Sequence, residues 1–256
     1  MDKIETVQEG NVTKVLTHLN YLKQERLPTQ WCPGCGNGIV LKLVCQAMEK
    51  LDFSQKNTVM VSGIGCSGRS AGYFDLDSIH SVHGRAIPVA EGIKNANPAL
   101  NVIIISGDGD LLGIGGNHLL HASRRNTNIS IVCIANSIYG MTGGQTSPTT
   151  EQGSKTLTTP QGNADTPIDV QAILKAHNSY YARTTVFHFN HAEKCITESL
   201  QHEGLSFVEI KTQCITNDGR RRGFKNAYEM MMSYKENYKI NSKTDTLEHN
   251  EIGIIK

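Results

Sequence analysis

Two cysteines, Cys32 and Cys35, flank Pro-Gly in the stretch "TQWCPGCGNG". Thiols at that spacing serve as a redox dithiol, as half of a zinc site, or as part of an iron–sulfur site. A redox dithiol follows an apolar strand. This pair follows the polar run "KQERLPTQ", so the dithiol reading lacks its context. Two further cysteines could complete a set of four: Cys66, in the Gly-rich turn "GIGCSG" after an apolar run, and Cys214, just past "FVEIKTQ". Strand ends on one edge of a sheet meet in space even when far apart in sequence. Four converging thiolates hold tetrahedral zinc or a [4Fe–4S] cluster, and spacing alone leaves both open. A zinc site more often presents a second CxxC pair, whereas Cys66 and Cys214 are single and widely separated. Cys45 in "KLVCQAM" and Cys133 in "SIVCIAN" lie on apolar patterns and read as small core residues; Cys195, in a helical pattern, is given no role.

A different chemistry is offered by "IIISGDGDLLGIGG". It follows a strand and opens a helix, where free backbone N–H groups and the helix dipole favour a phosphate. It is not a dinucleotide fingerprint: Leu112 stands where the third glycine of GxGxxG belongs, and no acidic residue near position 130 is placed to take a ribose hydroxyl. No Gly-Lys-Ser/Thr triplet exists, which excludes a P-loop. What remains is Asp108, held between Gly107 and Gly109 at a strand end. A carboxylate and a phosphate repel unless a cation lies between them. Mg2+ suits, since it binds through one or two oxygen side chains together with substrate phosphates. The next strand ends in "ANSIYGMTGGQ", which offers the Asn136 amide oxygen and loop carbonyls as further hard ligands. Either residue alone could be a helix cap or a turn; the pair on adjacent strand ends favours a metal.

Positioning these residues requires strands, and the chain supplies them. Near-continuous apolar runs at "TVMVSG" (58–63), "NVIIISGDGD" (101–110), "ISIVCIAN" (129–136) and "FVEIKTQ" (207–213) read as strands covered on both faces. Helical spacing recurs from Asn37, Arg85, Gly115 and His191. This alternation predicts a doubly wound, mostly parallel α/β sheet in one domain spanning residues 1–256, with ligands at the carboxyl ends of the strands. From about residue 217 the composition turns polar and predicts an arm, either a flexible end or a segment laid on a partner. Lys+Arg 25 against Asp+Glu 24 leaves no field pointing to nucleic acid or an anionic membrane. The charged N-terminus and the lack of an 18-residue apolar run predict a cytoplasmic protein, and seven cysteines without an export signal argue against a disulfide framework.

The Asp108-to-Asn136 interval of 28 residues after "GDG" resembles the thiamine diphosphate motif. That resemblance implies Mg2+ held by Asp108, Asn136 and the carbonyl of Ile138, bridging the cofactor's diphosphate. "WCPGCGNG", "SGIGCSGR", "HGRAIPVAEGIKNANP", "SGDGD" with "GIGGNH", and "NSIYGMTGGQTSPTT" extend it over roughly residues 28–215. Together they are similar to the β subunit of a 2-oxoacid:ferredoxin oxidoreductase, with "TGGQTSPTT" nearer the 2-oxoglutarate type. The resemblance implies a thiamine diphosphate-binding fold and a [4Fe–4S] cluster on Cys32, Cys35, Cys66 and Cys214. It further implies cofactor contacts from Ile64, Gly65, Cys66, Ser67, Gly107, Gly109, Asp110, Gly140 and Met141, and a catalytic role beside the cofactor for His83. The activity implied is oxidative decarboxylation of a 2-oxoacid, with the acyl group passed to coenzyme A and electrons to ferredoxin. The family's ylide-promoting Glu is expected on a partner α subunit, because Glu91 reads as a helix residue. His118 and His121 read as ordinary helix residues, and "GRRRG" (219–223) as a solvated turn or a contact for a partner or coenzyme A. Other classes remain: a non-redox thiamine enzyme with structural zinc, or a non-catalytic assembly subunit.

Overall fold

Residues 6–9, 12–15 and 17–255 are described by the computed structural model. Thr6–Glu9 (β1) and Val12–Val15 (β2) form an antiparallel hairpin. The chain continues through α1 (Asn37–Lys50), β3 (Thr58–Ser62), β4 (Asp77–His80), α2 (Ala86–Ala96) and β5 (Asn101–Gly107). A wide π-helical turn, Gly109–Ile114, leads into α3 (Gly116–Arg125) and β6 (Ser130–Ala135). A small hairpin of β7 (Ile138–Tyr139) and β8 (Gln145–Thr146) precedes α4 (Val170–Lys175), β9 (Tyr180–Thr185), α5 (Phe189–Gln201) and β10 (Ser206–Lys211). The remainder forms α6 (Ala227–Asn237), β11 (Lys239–Ile240) and β12 (Glu251–Ile255).

Eight strands make one sheet in the order β11-β12-β9-β10-β6-β5-β3-β4. The six from β9 to β4 are parallel, with Ile104 beside Ile131 and Val132 beside Val208. Alternation along β5 explains its continuous apolar run. Ile103 and Ile105 face a layer of Val40, Val44, Met48 and Ile196 from α1 and α5, while Val102 and Ile104 face Ile87, Ala90, Leu119 and Ala122 from α2 and α3. Each fully buried Ile or Val contributes about 1.5–3 kcal/mol. Cys45 and Cys195 lie in the first of these cores and Cys133 in the second, all fully buried. Helix α3 stops at Asn126, whose left-handed φ of 49° ends the helix and whose Oδ1 accepts from the Leu205 amide at 2.9 Å. That bond ties the helix end to the start of β10.

The segment read as a polar arm behaves differently. Strand β12 pairs antiparallel with β9, Gly253 opposite Arg183, and buries Ile252 and Ile255. Leu247 and Met230 are also buried, so residues beyond 217 complete the sheet and its flank in place of lying free. The apolar residues that do this are few and spaced among polar ones, which is why composition pointed the other way. Among the described residues, no helix is long and apolar enough to cross a membrane.

Candidate active site and thiol cluster

The carboxyl ends of β3, β5 and β6 surround a cavity of about 110 Å³. Ile64, Gly65, Cys66, Ser67, His83, Gly107, Asp108, Gly109, Asp110, Asn136, Ile138, Gly140 and Met141 all line it, with Tyr139 and Thr142. Sequence positions up to 78 apart are thereby brought to one place because parallel strands end on one edge. The next cavity, a groove of about 860 Å³, shares Ile64, Gly65 and Met141 with it.

Asp108 follows β5 and is 2% exposed. Burial pushes its carboxyl up, opposed by the Thr149 hydroxyl, Lys211 and the Asn136 amide. Its Oδ2 accepts from the Ser137 amide (3.1 Å), Ser147 Oγ (3.3 Å) and Thr149 Oγ1, while Oδ1 has only the long bond from the Asn136 amide (3.3 Å). Asn136 Oδ1 accepts from the Ile138 amide at 3.2 Å. These hard oxygens, with lone pairs left on Asp108 Oδ1 and Asn136 Oδ1, suit a divalent cation such as Mg2+. The Ser147–Thr149 clamp was not singled out from the sequence, although a hydroxyl-rich "TSPTT" beside a glycine loop was its available signal.

Asp110 does something its neighbour does not. Its side chain is 1% exposed. Oδ1 accepts from the Ile64 amide (3.1 Å) and the Gly84 amide (2.8 Å), and Oδ2 from Ser106 Oγ (2.9 Å). Asp110 therefore pins the turn carrying Cys66 and the turn carrying His83 onto β5. Gly84, at φ 71°, lets the second turn close against Ile114, where a Cβ would collide. Nδ1 of His83 lies shielded at 2.7 Å from Asp110 Oδ1, an ion-pair separation without hydrogen-bond alignment, and the ring is 41% exposed toward the cavity mouth.

The four candidate thiols gather beside this cavity. The Cys35 amide closes a turn on the Cys32 carbonyl (3.0 Å), and Gly34, at φ 81°, abuts Ala227 at the start of α6. Trp31 Nε1 donates to the Cys66 carbonyl at 2.7 Å, and Gln213 Nε2 to the Gly34 carbonyl at 3.0 Å. Cys66 lines the cavity directly, and Cys214 Sγ lies 3.1 Å from where a Cβ on Gly140 would stand. Burial pushes the Cys35 thiol up to about 11, and the nearby Cys214, Cys66 and Cys32 add to the shift. Cys66 and Cys214 are raised likewise, by burial first and then by their neighbouring thiols. Cys32 is exposed. Among the described residues no group of three or more His, Cys, Asp or Glu is arranged to hold a single metal ion.

Other candidates separate from the site. Glu91 is a helix residue, 8% exposed, bound by Arg125 through three hydrogen bonds of 2.6–3.0 Å and by Thr127. His118 pairs with Arg85 at 2.6 Å.

A family model for the C-terminal TPP-binding domain of thiamine pyrophosphate enzymes matches residues 60–210. The 2-oxoglutarate synthase subunit KorB of Archaeoglobus fulgidus is 46% identical over 242 residues, covering 93% of this chain and 88% of its own. The chain belongs to the thiamine pyrophosphate enzymes, in the KorB-type β-subunit family. This KorB-type chain is also 42% identical over 192 residues to the 2-oxoglutarate oxidoreductase subunit KorB of Mycobacterium tuberculosis, covering 74% of this chain and 52% of that one. Subunit beta of 2-oxoacid:ferredoxin oxidoreductase 2 from Aeropyrum pernix is 41% identical over 188 residues, 73% of this chain and 61% of that one. Among solved structures, a 2-oxoglutarate:ferredoxin oxidoreductase from Magnetococcus marinus, with 2-oxoglutarate, coenzyme A and succinyl-CoA bound, superposes with a TM-score of 0.83 at 30% identity. That match covers 93% of this chain and 84% of the other. The doubly wound parallel sheet expected from the sequence is thus the fold of a KorB-type subunit.

Proposed function

We propose that this chain is the β subunit of a 2-oxoacid:ferredoxin oxidoreductase of the 2-oxoglutarate type. In this reading Asp108, Asn136 and the Ile138 carbonyl hold Mg2+ and the diphosphate of thiamine diphosphate, and Cys32, Cys35, Cys66 and Cys214 hold a [4Fe–4S] cluster. One 2-oxoacid and one coenzyme A thiol yield one acyl-CoA, one CO2 and one proton, while two ferredoxin molecules each take one electron. When bound, the cofactor supplies the nucleophilic carbon for decarboxylation and the cluster supplies one-electron transfer.

The observation that carries this reading is the shared wall. Cys66 lines the cavity that contains Asp108 and Asn136, and Cys214 Sγ sits against Gly140 of the same cavity. Cys66 and Cys214 are single and far apart in sequence, without the second CxxC pair that a zinc site more often presents, which favours a [4Fe–4S] cluster over zinc. Asp110 fixes both the Cys66 turn and the His83 turn, so one buried carboxylate sets the spacing of the two centres. His83 keeps Nδ1 beside Asp110, leaving Nε2 to hold or pass a proton at the cavity mouth.

Asp108 and Asp110 are the only carboxylates lining the cavity among the described residues, and both are committed to protein donors. The resemblance to the family implies that a further carboxylate, for the aminopyrimidine ring, comes from a partner α subunit. The isolated chain, reconstituted with thiamine diphosphate, Mg2+, iron and sulfide, is therefore expected to be inactive.

The test is iron, acid-labile sulfide and zinc per β chain in the anaerobically purified complex with its α subunit. About four irons and four sulfides per β chain support the reading. Stoichiometric zinc without sulfide would keep the thiamine site and remove the redox chemistry. A kcat/KM for pyruvate or a branched-chain oxoacid above that for 2-oxoglutarate would overturn the substrate assignment.

A further inference from the structure

The segment after Cys214 is the strongest charge feature of a nearly neutral chain. Residues 218–229 hold four cations (Arg220, Arg221, Arg222, Lys225) against two carboxylates (Asp218, Glu229), a net +2, where the whole chain carries +1. The fold wraps this segment onto the thiols. The Asp218 and Gly219 amides both donate to the Cys214 carbonyl, at 3.0 and 2.9 Å, and the Phe224 amide returns to the Gly219 carbonyl at 2.9 Å. Ala227 then packs on Gly34, between Cys32 and Cys35. The basic turn therefore starts at one candidate cluster ligand and ends against the turn that carries two others, of which Cys32 is exposed.

Its cations are of two kinds. Arg222 pairs with Asp218 at 3.4 Å and lies 5.5 Å over the Phe224 ring, and Arg221 donates to the Asn217 and Gly143 carbonyls, which fixes the turn. Arg220 and Lys225 are exposed, and among the described residues neither side chain forms an ion pair, while the Glu229 carboxylate accepts from the Lys225 backbone amide at 2.8 Å. Beside them Tyr228 is 67% exposed. Unpaired cations around an exposed Tyr make the composition of a protein-binding face, in which Arg and Tyr anchor and rim charges steer encounter.

We infer that Arg220, Lys225 and Tyr228, carried on the segment that runs from Cys214 to the Cys32–Cys35 turn, form the docking surface for an acidic protein that carries one electron. The inference rests on the reading of the four thiols as an iron–sulfur site. Two carrier molecules dock in succession per turnover, each arriving oxidised and leaving with one of the two electrons released when the decarboxylated substrate is oxidised to the acyl level. The cationic face shortens the search for the carrier and places it over the thiol edge, so its contribution falls as salt rises.

The test compares the wild-type α–β complex with Arg220→Glu/Lys225→Glu, neither residue being part of the cofactor or thiol site. Binding of an acidic ferredoxin to the immobilised complex is measured by surface plasmon resonance, and turnover is followed with that ferredoxin and with methyl viologen. At low salt the double reversal is expected to weaken ferredoxin binding and kcat/KM about tenfold or more. The loss should shrink toward unity at 0.5 M salt, with viologen turnover and iron content unchanged. Unchanged ferredoxin binding in a variant with full iron overturns the docking inference and leaves the cluster reading intact. Absence of iron and sulfide from the wild-type complex overturns both. Release of the α subunit by the variant on gel filtration marks the face as a subunit interface and overturns the inference. Should the double reversal lose iron, Arg220→Gln is scored against the same criteria, with a twofold to threefold loss expected and no loss overturning it.

Discussion

Replacing Asp110 by Ala removes the acceptor for three donors at once. The Gly84 amide and the Ser106 hydroxyl are buried, and the Ile64 amide is partly so. A buried donor left without a partner costs about 1–3 kcal/mol, and a more accessible one is partly rehydrated. Relief of the carboxylate's own burial offsets some of this, which leaves a net loss of about 3 kcal/mol. For a chain of this size each kcal/mol moves Tm by about 2–4 °C, so the variant should melt about 6–12 °C below wild type. Asp110→Asn keeps one oxygen for the Ile64 and Gly84 amides and should lose less than half as much. The assay is calorimetric melting of wild type and both variants, with thiamine diphosphate and Mg2+ affinity measured below the transition. Because Asp110 joins the Cys66 and His83 turns, cofactor affinity should fall together with Tm. A Tm drop under 2 °C for Asp110→Ala, with cofactor affinity unchanged, would refute the idea that this carboxylate holds the two turns.

Further outcomes concern the surrounding groups. Thr149→Val keeps the side chain's shape while removing a donor to Asp108, and should weaken Mg2+-dependent thiamine diphosphate binding about fivefold to tenfold by calorimetry. Burial alone would raise the Glu209 carboxyl, but Lys211 at 2.7 Å and Arg183 at 3.1 Å hold it near 2 against an ordinary 4.5. The stabilisation this supplies is fully present above about pH 4.5 and is lost as pH falls toward 2, on the order of 3 kcal/mol by urea unfolding. Glu209→Gln should flatten that acid limb and cost about 3–5 kcal/mol at neutral pH by stranding Lys211. In cluster-free protein, Cys35 at about 11 should alkylate at pH 8 about a hundredfold slower than a thiol at the ordinary 9.0, as read by peptide mass mapping with iodoacetamide.

What could be read from residues alone followed from strong local signals. Strands β3, β5, β6 and β10 were legible because burial on both faces demands nearly unbroken Val and Ile. Strand β4, "DSIH", is four exposed residues at the sheet edge and carries no period. Strand β9, "YYARTT", hides its character behind Arg183, whose charge is met by Glu209 on the neighbouring strand. Strand β12, "EIGII", is interrupted by Gly253, where a side chain would strike the Asn241 carbonyl. At the site, residues with unusual chemistry announced themselves: cysteines, an Asp between glycines, an Asn at the next strand end. Serines and threonines did not. Ser106, Ser147 and Thr149 become informative only when the fold shows which carboxylate each one faces. The role of Asp110 was likewise hidden, since its donors lie 26 and 46 residues away.

The bond from Trp31 to the Cys66 carbonyl has an optical consequence. Trp31 is the chain's single tryptophan, and its indole rests on the turn that carries one candidate cluster ligand, 4.9 Å from the Tyr73 ring. All indole emission from this chain therefore originates at the thiol cluster. Filling the four thiols would quench and shift that emission with no added label, so the fluorescence of the chain can time the assembly and loss of whatever those thiols hold.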